Sequence, residues 1–240
     1  MEFWQRRVKK TIFTLATDDW MEANKELVGI THPLIKAWAH KIGADFYIIR
    51  ERKFPEWPPT YEKLQIFELA QQMQNDWNIY IDSDALIKPD LYDLTSILPR
   101  DTICHHGHDF ASIRWRFDRF FLRDGRHWGT GNWFSIASDL CIELWKPVAD
   151  LTLSQCIANI FPTSEELQSG VISPEHLIDD YVLSRNIAKY GLKAIDVRGM
   201  LPRFGPQFEG GGDYFFHQYI VNGEAKLKQV KEVLLRWGYK

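Results

Sequence analysis

The chain has 240 residues, of which 45% are hydrophobic, and a chain of this size and composition can bury one sizeable core in a single domain. Its formal net charge of −3 at pH 7 gives no reason to expect nucleic acid or an anionic membrane as a partner. The three cysteines (Cys104, Cys141 and Cys156) lack a C-x-x-C pair and no stretch approaches the ~20 apolar residues of a membrane span, so we expect a cytoplasmic protein without a disulfide framework, a zinc ribbon or a membrane helix.

The first 90 residues alternate between strand-like and helix-like patterns. Short runs rich in β-branched and aromatic residues predict strands, whereas longer stretches with apolar residues at helical spacing predict helices. The predicted strands are residues 11–17, 46–49 and 79–81, and the predicted helices are residues 27–42 and 61–73. Gly43 should end the first helix, and Pro33 within it should split or kink it. This β-α-β-α-β order indicates an α/β fold in which helices cover a parallel sheet.

The rest of the chain is less regular. Strands are predicted at residues 102–105, 133–137, 192–197 and 214–217, and helices at residues 139–146, 176–190 and 226–237. Residues 147–175 and the glycine- and proline-rich residues 199–212 are typical of loops. Residues 110–127 contain five arginines among aromatic residues and show no clean period. That segment is either an amphipathic helix or a lid over a bound substrate.

An acidic pair follows the third predicted strand. Asp82 and Asp84 flank Ser83 where the apolar run Ile79–Ile81 gives way to a turn. Two carboxylates one residue apart at a strand end can point at a common cation, and such oxygen ligands suit Mg²⁺ or Mn²⁺, which complete their coordination with water and substrate phosphates. Ligands of open α/β sheets bind at the carboxyl ends of the strands. The sequence therefore predicts a site for a metal ion and a diphosphate.

With this acidic pair after its third predicted strand, the chain resembles a glycosyltransferase of the GT-A fold with an Asp-x-Asp motif. Within that class it is most similar to glycogenin-like and galactosyl-type retaining enzymes. The segments that match motifs of the family, in chain order, are Lys63-Leu64, Ile79–Ile87, Thr130-Gly131, Asp179–Leu183 and His217 with Gly223 and Lys226. The last of these segments departs from the family pattern, because His217 and Gly223 are six positions apart rather than three, and this leaves the role of Lys226 open. The resemblance spans residues 11–226, and its specific part is the acidic motif.

The resemblance implies one GT-A (Rossmann-like) domain over residues 1–240, with a central, mostly parallel mixed sheet flanked by helices. Residues 11–100 would form the nucleotide-binding half, and residues 101–240 the half that binds the acceptor and closes the metal site. The implied activity is the metal-dependent transfer of a hexose from a nucleotide sugar to a hydroxyl group of a carbohydrate or other acceptor. The glycogenin-like segments favour a UDP-sugar as the donor. In such a reaction a divalent ion and cationic side chains stabilise the negative charge that develops on the leaving diphosphate.

The resemblance also assigns individual residues to roles. The metal ion, Mn²⁺ or Mg²⁺, would be bound by Asp82, Asp84 and His217. Catalytic roles would belong to Lys63, Asp179 and Asp180. The nucleotide would be bound by Thr14, Ala16, Thr17, Asp18, Asp82, Ser83 and Lys226. The acceptor and the transferred sugar would contact Thr130, Gly131 and Asn132.

Simpler interpretations of the same residues stay open. Asp179 and Asp180 begin a predicted helix, where acidic residues favour the helix dipole without any further role. His217 could be a buried core histidine, and Lys63 could be a solvated helix residue. Residues 104–108 contain three histidines. Because neighbouring residues of a strand face opposite sides, a role in lining a surface or a substrate site is favoured there over a single metal site.

Three other functions remain as alternatives. A sugar nucleotidyltransferase would use the same kind of sheet, but it needs a glycine-rich basic loop where this chain has the acidic, glycine-free Thr17–Trp20. A phosphatase of the haloacid dehalogenase type also has Asp-x-Asp after a strand, but it requires Thr or Val at the position of Leu86. A lectin-like binding module would keep the fold without the catalysis. The sequence predicts no oligomeric state.

Overall fold

A central six-stranded sheet organises the protein. The structure is a computed structural model, and it describes residues 8–106, 133–162, 164–197, 214–218 and 220–239. The strands are β1 (Lys10–Leu15), β2 (Asp45–Ile49), β3 (Trp77–Ile81), β4 (Leu86–Ile87), β5 (Thr102–His106), β6 (Phe134–Ser138), β7 (Lys193–Asp196) and β8 (Phe215–Phe216). Their order in the central sheet is β2-β1-β3-β6-β5-β7, and β4 pairs with β8 in a separate two-stranded sheet.

The directions of the strands make the central sheet mixed and mostly parallel. β1 pairs in parallel with β2 and β3, and β5 pairs in parallel with β7. β6 lies between β3 and β5 and is antiparallel to both. In the register of β1 and β3, Phe13 lies beside Tyr80, so the carboxyl ends of these two strands meet at one edge of the sheet. The predicted α/β class with a mostly parallel mixed sheet is confirmed.

Helices and 3-10 helices connect the strands. The α-helices are α1 (Asp18–Ala23), α2 (Lys25–Ile42), α3 (Ile66–Met73), α4 (Leu153–Ile157), α5 (Ser164–Ser169), α6 (Ile178–Tyr190) and α7 (Gly223–Arg236). The 3-10 helices are Pro59–Gln65, Leu94–Ser96, Asp139–Trp145 and Pro174–Leu177. The sequence pattern predicts neither α1 nor α4 and α5, because five or six residues are too few to show a helical period. Among the described helices, none has the length and apolar content needed to cross a membrane.

α2 continues through Pro33 as one helix, so the split predicted there does not occur. Proline removes one helical hydrogen bond because it has no N–H group, and the carbonyl that loses its donor belongs to Gly29, four residues earlier. Gly29 and Pro33 are both exposed, so water can bind that carbonyl. The opposite side of α2 is held by the burial of Ile35 and Trp38. The helix ends at Gly43 with φ of 67°, as predicted.

β3 is buried on both faces, as expected for a strand covered by helices on each side. Ile79 and Ile81 pack in one apolar cluster, together with Trp38 of α2. Tyr80 points to the other face and packs in a second cluster with Ile66 of α3. All five residues of the strand are buried, so its carboxyl end is the point where polar side chains can first reach solvent.

Candidate active site

The acidic pair lies in a turn directly after β3. The backbone N–H of Asp82 donates to the carbonyl of Trp133 at 2.8 Å, which extends the pairing of β3 with β6 by one residue. The N–H of Ala85 then donates to the carbonyl of Asp82 at 3.1 Å and closes the turn. The carboxylates of Asp82 and Asp84 both face the same cleft.

Ser83, between the two acids, is buried and fastens the turn to its neighbours. Its hydroxyl donates to the carbonyl of Leu15 at 2.8 Å and lies 2.7 Å from the hydroxyl of Thr14. Its carbonyl accepts a hydrogen bond of 2.5 Å from the hydroxyl of Thr31 on α2. The turn is therefore tied to the end of β1 and to α2, which fixes the direction of the two flanking carboxylates.

His217 reaches the acidic pair because β4 and β8 pair with each other. These strands are antiparallel, with Leu86 opposite Phe216, and His217 is the next residue after β8. Its Nε2 atom lies 3.6 Å from Oδ2 of Asp82 and 3.3 Å from Oδ1 of Asp84. The ligand atoms of these three residues lie within 4.8 Å of one another, and the described residues contain no other such group.

Lys226, on the first turn of α7, forms an ion pair with Oδ2 of Asp84. Burial favours a higher pKa for the Asp84 carboxyl, but the Lys226 ammonium and His217 outweigh burial and hold that pKa well below its usual range. Asp84 is therefore ionised at neutral pH and able to bind a cation. The altered spacing after His217 thus does not keep Lys226 away from the site.

A second charged group lies next to Asp82. Lys63, on the 3-10 helix before α3, forms an ion pair with Oδ2 of Asp179 at the start of α6, and its Nζ lies 3.6 Å from Oδ1 of Asp82. The phenol of Tyr80 donates to the same Asp82 oxygen at 2.5 Å, and the Lys63 ammonium lies 4.5 Å from the centre of the Tyr80 ring. Burial, and then the charge of Asp82, raises the pKa of Tyr80 well above its usual value, so the phenol keeps its proton.

Burial and neighbouring charges compete at this second group. Burial favours the neutral form of Lys63, but the carboxylates of Asp179 and Asp82 outweigh it and raise the lysine pKa. Burial raises the pKa of Asp179, Lys63 opposes that rise, and the charge of Asp180 adds to it. The predicted catalytic residues Lys63, Asp179 and Asp180 are thus buried side by side next to the acidic turn.

These groups face one cleft of about 840 Å³, a volume within the usual range of small-molecule sites. The predicted site residues that line it are Ala16, Thr17, Lys63, Asp82, Ser83, Asp84, Asp179, Asp180, His217 and Lys226. Thr14 is buried below the turn, where its hydroxyl contacts Ser83. Asp18 does not line the cleft, and its exposed carboxylate accepts a hydrogen bond of 2.7 Å from Arg50. Thr130, Gly131 and Asn132 lie outside the described residues, as do segments 110–127 and 199–212.

Residues that the sequence patterns do not single out also belong to the site. Tyr80 binds Asp82, and its place two positions before the acid in the motif strand is the one signal that points to it. Trp133 and Trp20 also line the cleft but lie outside any motif. Trp133 reaches it through the pairing of β6 with β3, and Trp20 lies on α1, shortly after the end of β1. Of the histidines in residues 104–108, His106 also lines the cleft, in agreement with the lining role expected there.

The donor set of two carboxylates and one imidazole fits a divalent ion such as Mn²⁺ or Mg²⁺. Carboxylate oxygens suit both ions, and three protein ligands leave coordination positions for water and phosphate oxygens. The ammonium of Lys226 on Asp84 shows that this point of the structure attracts positive charge.

Solved structures similar to this chain include those of glycosyltransferases, the class that its motifs predict. One is a glycosyltransferase involved in the glycosylation of the major capsid of PBCV-1, with 12% identity and a TM-score of 0.47 over 95% of this chain and 99% of that one. A second is the galactosyltransferase LgtC in complex with donor and acceptor sugar analogs, with 12% identity and a TM-score of 0.48 over 94% of this chain and 95% of that one. A third is a mutant of Drosophila beta-1,4-galactosyltransferase 7 in complex with manganese, UDP-Gal and xylobiose, with 12% identity and a TM-score of 0.43 over 93% of this chain and 80% of that one.

No family model matches the chain, and no curated protein matches it in sequence. The similarity to the solved structures is one of fold and not of sequence, so the function is argued below from the residues of the site.

Proposed function

We propose that the protein is a glycosyltransferase that transfers a hexose from a nucleotide sugar, in the first place a UDP-sugar, to a hydroxyl group of a carbohydrate or other acceptor. Residues 11–100 supply the nucleotide-binding half, and residues 101–240 supply the half that binds the acceptor and completes the metal site. The cofactor is Mn²⁺ or Mg²⁺, and its ligands are Asp82, Asp84 and His217.

One observation carries the proposal: three residues from two distant segments of the sequence converge on one point in a large cleft. Asp82 and Asp84 come from the turn after β3 and His217 follows β8, yet their ligand atoms lie within 4.8 Å of one another. Two lysines and a second acidic pair line the same cleft. This combination suits a metal ion, a diphosphate and a hydroxyl-rich group such as a sugar.

The residues around this point can carry out what sugar transfer requires. When bound, the divalent ion would neutralise charge on the diphosphate leaving group. Lys226 lines the cleft and can bind a phosphate oxygen once it leaves its carboxylate partner. Asp179 and Asp180 line the cleft, and their carboxylates can accept hydrogen bonds from the hydroxyls of a bound sugar. Lys63 holds Asp179 in place and balances its charge.

The nucleotide would lie along the carboxyl end of β1. Ala16 and Thr17 line the cleft there, and Thr14 supports the acidic turn from below. Asp18 would have to leave its arginine partner to join them. Residues 130–132 remain the predicted contacts of the acceptor and the transferred sugar.

Calorimetric titration of UDP tests the proposal. The wild-type protein should bind UDP in the presence of Mn²⁺, and EDTA should remove or greatly weaken the binding. Asp84→Asn should lose the Mn²⁺-dependent part of the affinity, because the metal ion loses a carboxylate ligand. The control is Asp90→Asn, an exposed acid outside the cleft. UDP binding by Asp84→Asn that equals that of the wild type, with and without Mn²⁺, would contradict the proposal.

Product analysis separates sugar transfer from the alternative reactions. Incubation with nucleotide sugars and Mn²⁺ should release the nucleoside diphosphate while the sugar appears on an acceptor hydroxyl or on water. Formation of pyrophosphate would instead indicate a nucleotidyltransferase, and release of inorganic phosphate from an aryl phosphate would indicate a phosphatase. Donor binding without any turnover would indicate a lectin-like module.

A further inference from the structure

Trp133 contacts both parts of the proposed cation site. Its backbone carbonyl accepts the N–H of Asp82 at 2.8 Å, at the start of the acidic turn. Its indole ring stacks on the imidazole of His217, with ring centres 5.2 Å apart and an angle of 21° between the ring planes. One residue outside the ligand set therefore contacts a ligand from each of the two segments that form the site.

Other rings hold this indole in place. His106 of β5 lies against it with ring centres 4.4 Å apart, and Phe215 of β8 and Phe134 of β6 lie at 5.8 Å and 6.0 Å. Trp133 is only 9% exposed, although it lines the cleft. An indole enclosed by rings from three strands has little freedom to turn, so it presents a fixed flat surface to His217.

His217 depends on such a surface because its own strand is short. β8 has two residues, and among the described strands it pairs only with β4. An imidazole just beyond so short a strand can turn about its side-chain bonds, and cation affinity falls with the fraction of time that Nε2 points away from Asp84. A ring stacked on the imidazole limits that rotation.

We infer that Trp133 is a positioning residue of the cation site: its indole orients His217, and its carbonyl sets the position of Asp82. The inference rests on the cation site of the proposed function and extends it, because Trp133 supplies no ligand atom. Residues that orient a metal ligand by hydrogen bonding from outside the coordination shell typically contribute about ten- to a hundredfold to metal affinity, and we expect an effect near the lower end of that range for a stacked ring.

Titration of Mn²⁺ into the nucleotide-free protein measures the effect. Trp133→Leu keeps the carbonyl and removes the indole, so the Kd for Mn²⁺ should rise by about tenfold or more. Trp133→Phe keeps a ring beside the imidazole and should restore most of the affinity. The matched control is Trp77→Leu at the amino end of β3, because Trp77 is a buried tryptophan of the same apolar cluster. That control should lower the melting temperature and leave the Kd unchanged.

The NMR signals of the His217 ring give a second readout that needs no cation. The ring current of the stacked indole should shift the His217 ring protons upfield, and Trp133→Leu should abolish this shift while Trp133→Phe keeps part of it. If the wild type and Trp133→Leu bind Mn²⁺ equally well, and the variant loses only stability as Trp77→Leu does, the indole is core packing alone and the inference is overturned. If the wild type itself binds no Mn²⁺, the cation site of the proposed function fails, and the inference fails with it.

Discussion

The ammonium of Lys226 bonds to Oδ2 of Asp84, although the two residues are 142 positions apart. Lys226 is only 5% exposed, so its charge has lost most of its water and depends on the carboxylate for compensation. The contact lies where the ligand atoms of Asp82, Asp84 and His217 converge. The chain therefore places a positive charge of its own on one of the oxygens that a divalent ion would use.

A divalent ion has to compete with Lys226 for Asp84. We expect Lys226→Met to bind Mn²⁺ more tightly than the wild type when no nucleotide is present, by about tenfold or about 1.4 kcal/mol. The same substitution should weaken the binding of UDP in the presence of Mn²⁺, because a phosphate oxygen loses its lysine partner. Calorimetric titrations of Mn²⁺ alone, and of UDP with Mn²⁺, measure the two effects separately.

The control for this prediction is Lys228→Met, since Lys228 is exposed on the same helix. It should change neither affinity. Weaker binding of Mn²⁺ by Lys226→Met would contradict the competition, and would show that the lysine holds Asp84 in the orientation that the ion needs.

The ion pair of Lys63 with Asp179 is buried on both sides, with side-chain exposures of 2% and 0%. Removal of one partner leaves an uncompensated buried charge, so Lys63→Met should lower the free energy of unfolding by about 3–5 kcal/mol at neutral pH. In the folded protein the pKa of Asp179 is raised by burial, and the loss of Lys63 removes the opposing cation. The penalty should therefore be largest at neutral pH and shrink as the pH falls towards ~3.9, the value for an unfolded aspartate. Urea unfolding at several pH values measures this.

The matched control is Lys231→Met. Lys231 pairs with Glu26, and both side chains are more than half exposed, at 51% and 63%. An exposed pair of this kind contributes at most about 1 kcal/mol, so this variant should unfold almost as the wild type does. If Lys63→Met changed the free energy of unfolding as little as Lys231→Met does, and by the same amount at every pH, the buried pair would contribute no more to stability than the exposed pair.

The acidic turn is predictable from sequence because local chemistry specifies it. The run Ile79–Ile81 has no charged side chain and two isoleucines, so it is expected to be buried, and the first carboxylates after it lie where the strand leaves the core. The ends of α2 and α6 are predictable for a similarly local reason. Gly43 and Gly191 adopt φ of 67° and 63°, a conformation that glycine reaches without steric strain.

The rest of the site depends on contacts between distant segments, which spacing along the chain does not reveal. β4 and β8 have two residues each, too few for a periodic signal, yet their register decides that His217 reaches Asp84. Trp133 joins the site only because β6 inserts antiparallel beside β3. Asp18 follows β1 as predicted, but it pairs with Arg50 because β2 ends alongside β1 on the outer side.

His32 of α2 connects stability to pH at a place outside the cleft. Its buried imidazole lies against Phe46, with ring centres 5.7 Å apart. Burial, assisted by the positive charges of Lys36 and Arg50, lowers its pKa from 6.5 to about 4. Between these two values the unfolded chain binds a proton and the folded chain does not. The stabilising effect of the neutral imidazole is thus complete above pH 6.5 and is lost as the pH falls to about 4.

His32 should therefore remove as much as about 3 kcal/mol from the free energy of unfolding as the pH falls from 7 to 4. His32→Leu removes the titrating group, so urea unfolding should show the wild type losing stability relative to this variant over that range. His40→Leu, an exposed position on the same helix, should instead follow the pH profile of the wild type. A difference between the wild type and His32→Leu that stays constant with pH would contradict the prediction, because it would mean that His32 binds its proton equally well in the folded and the unfolded chain.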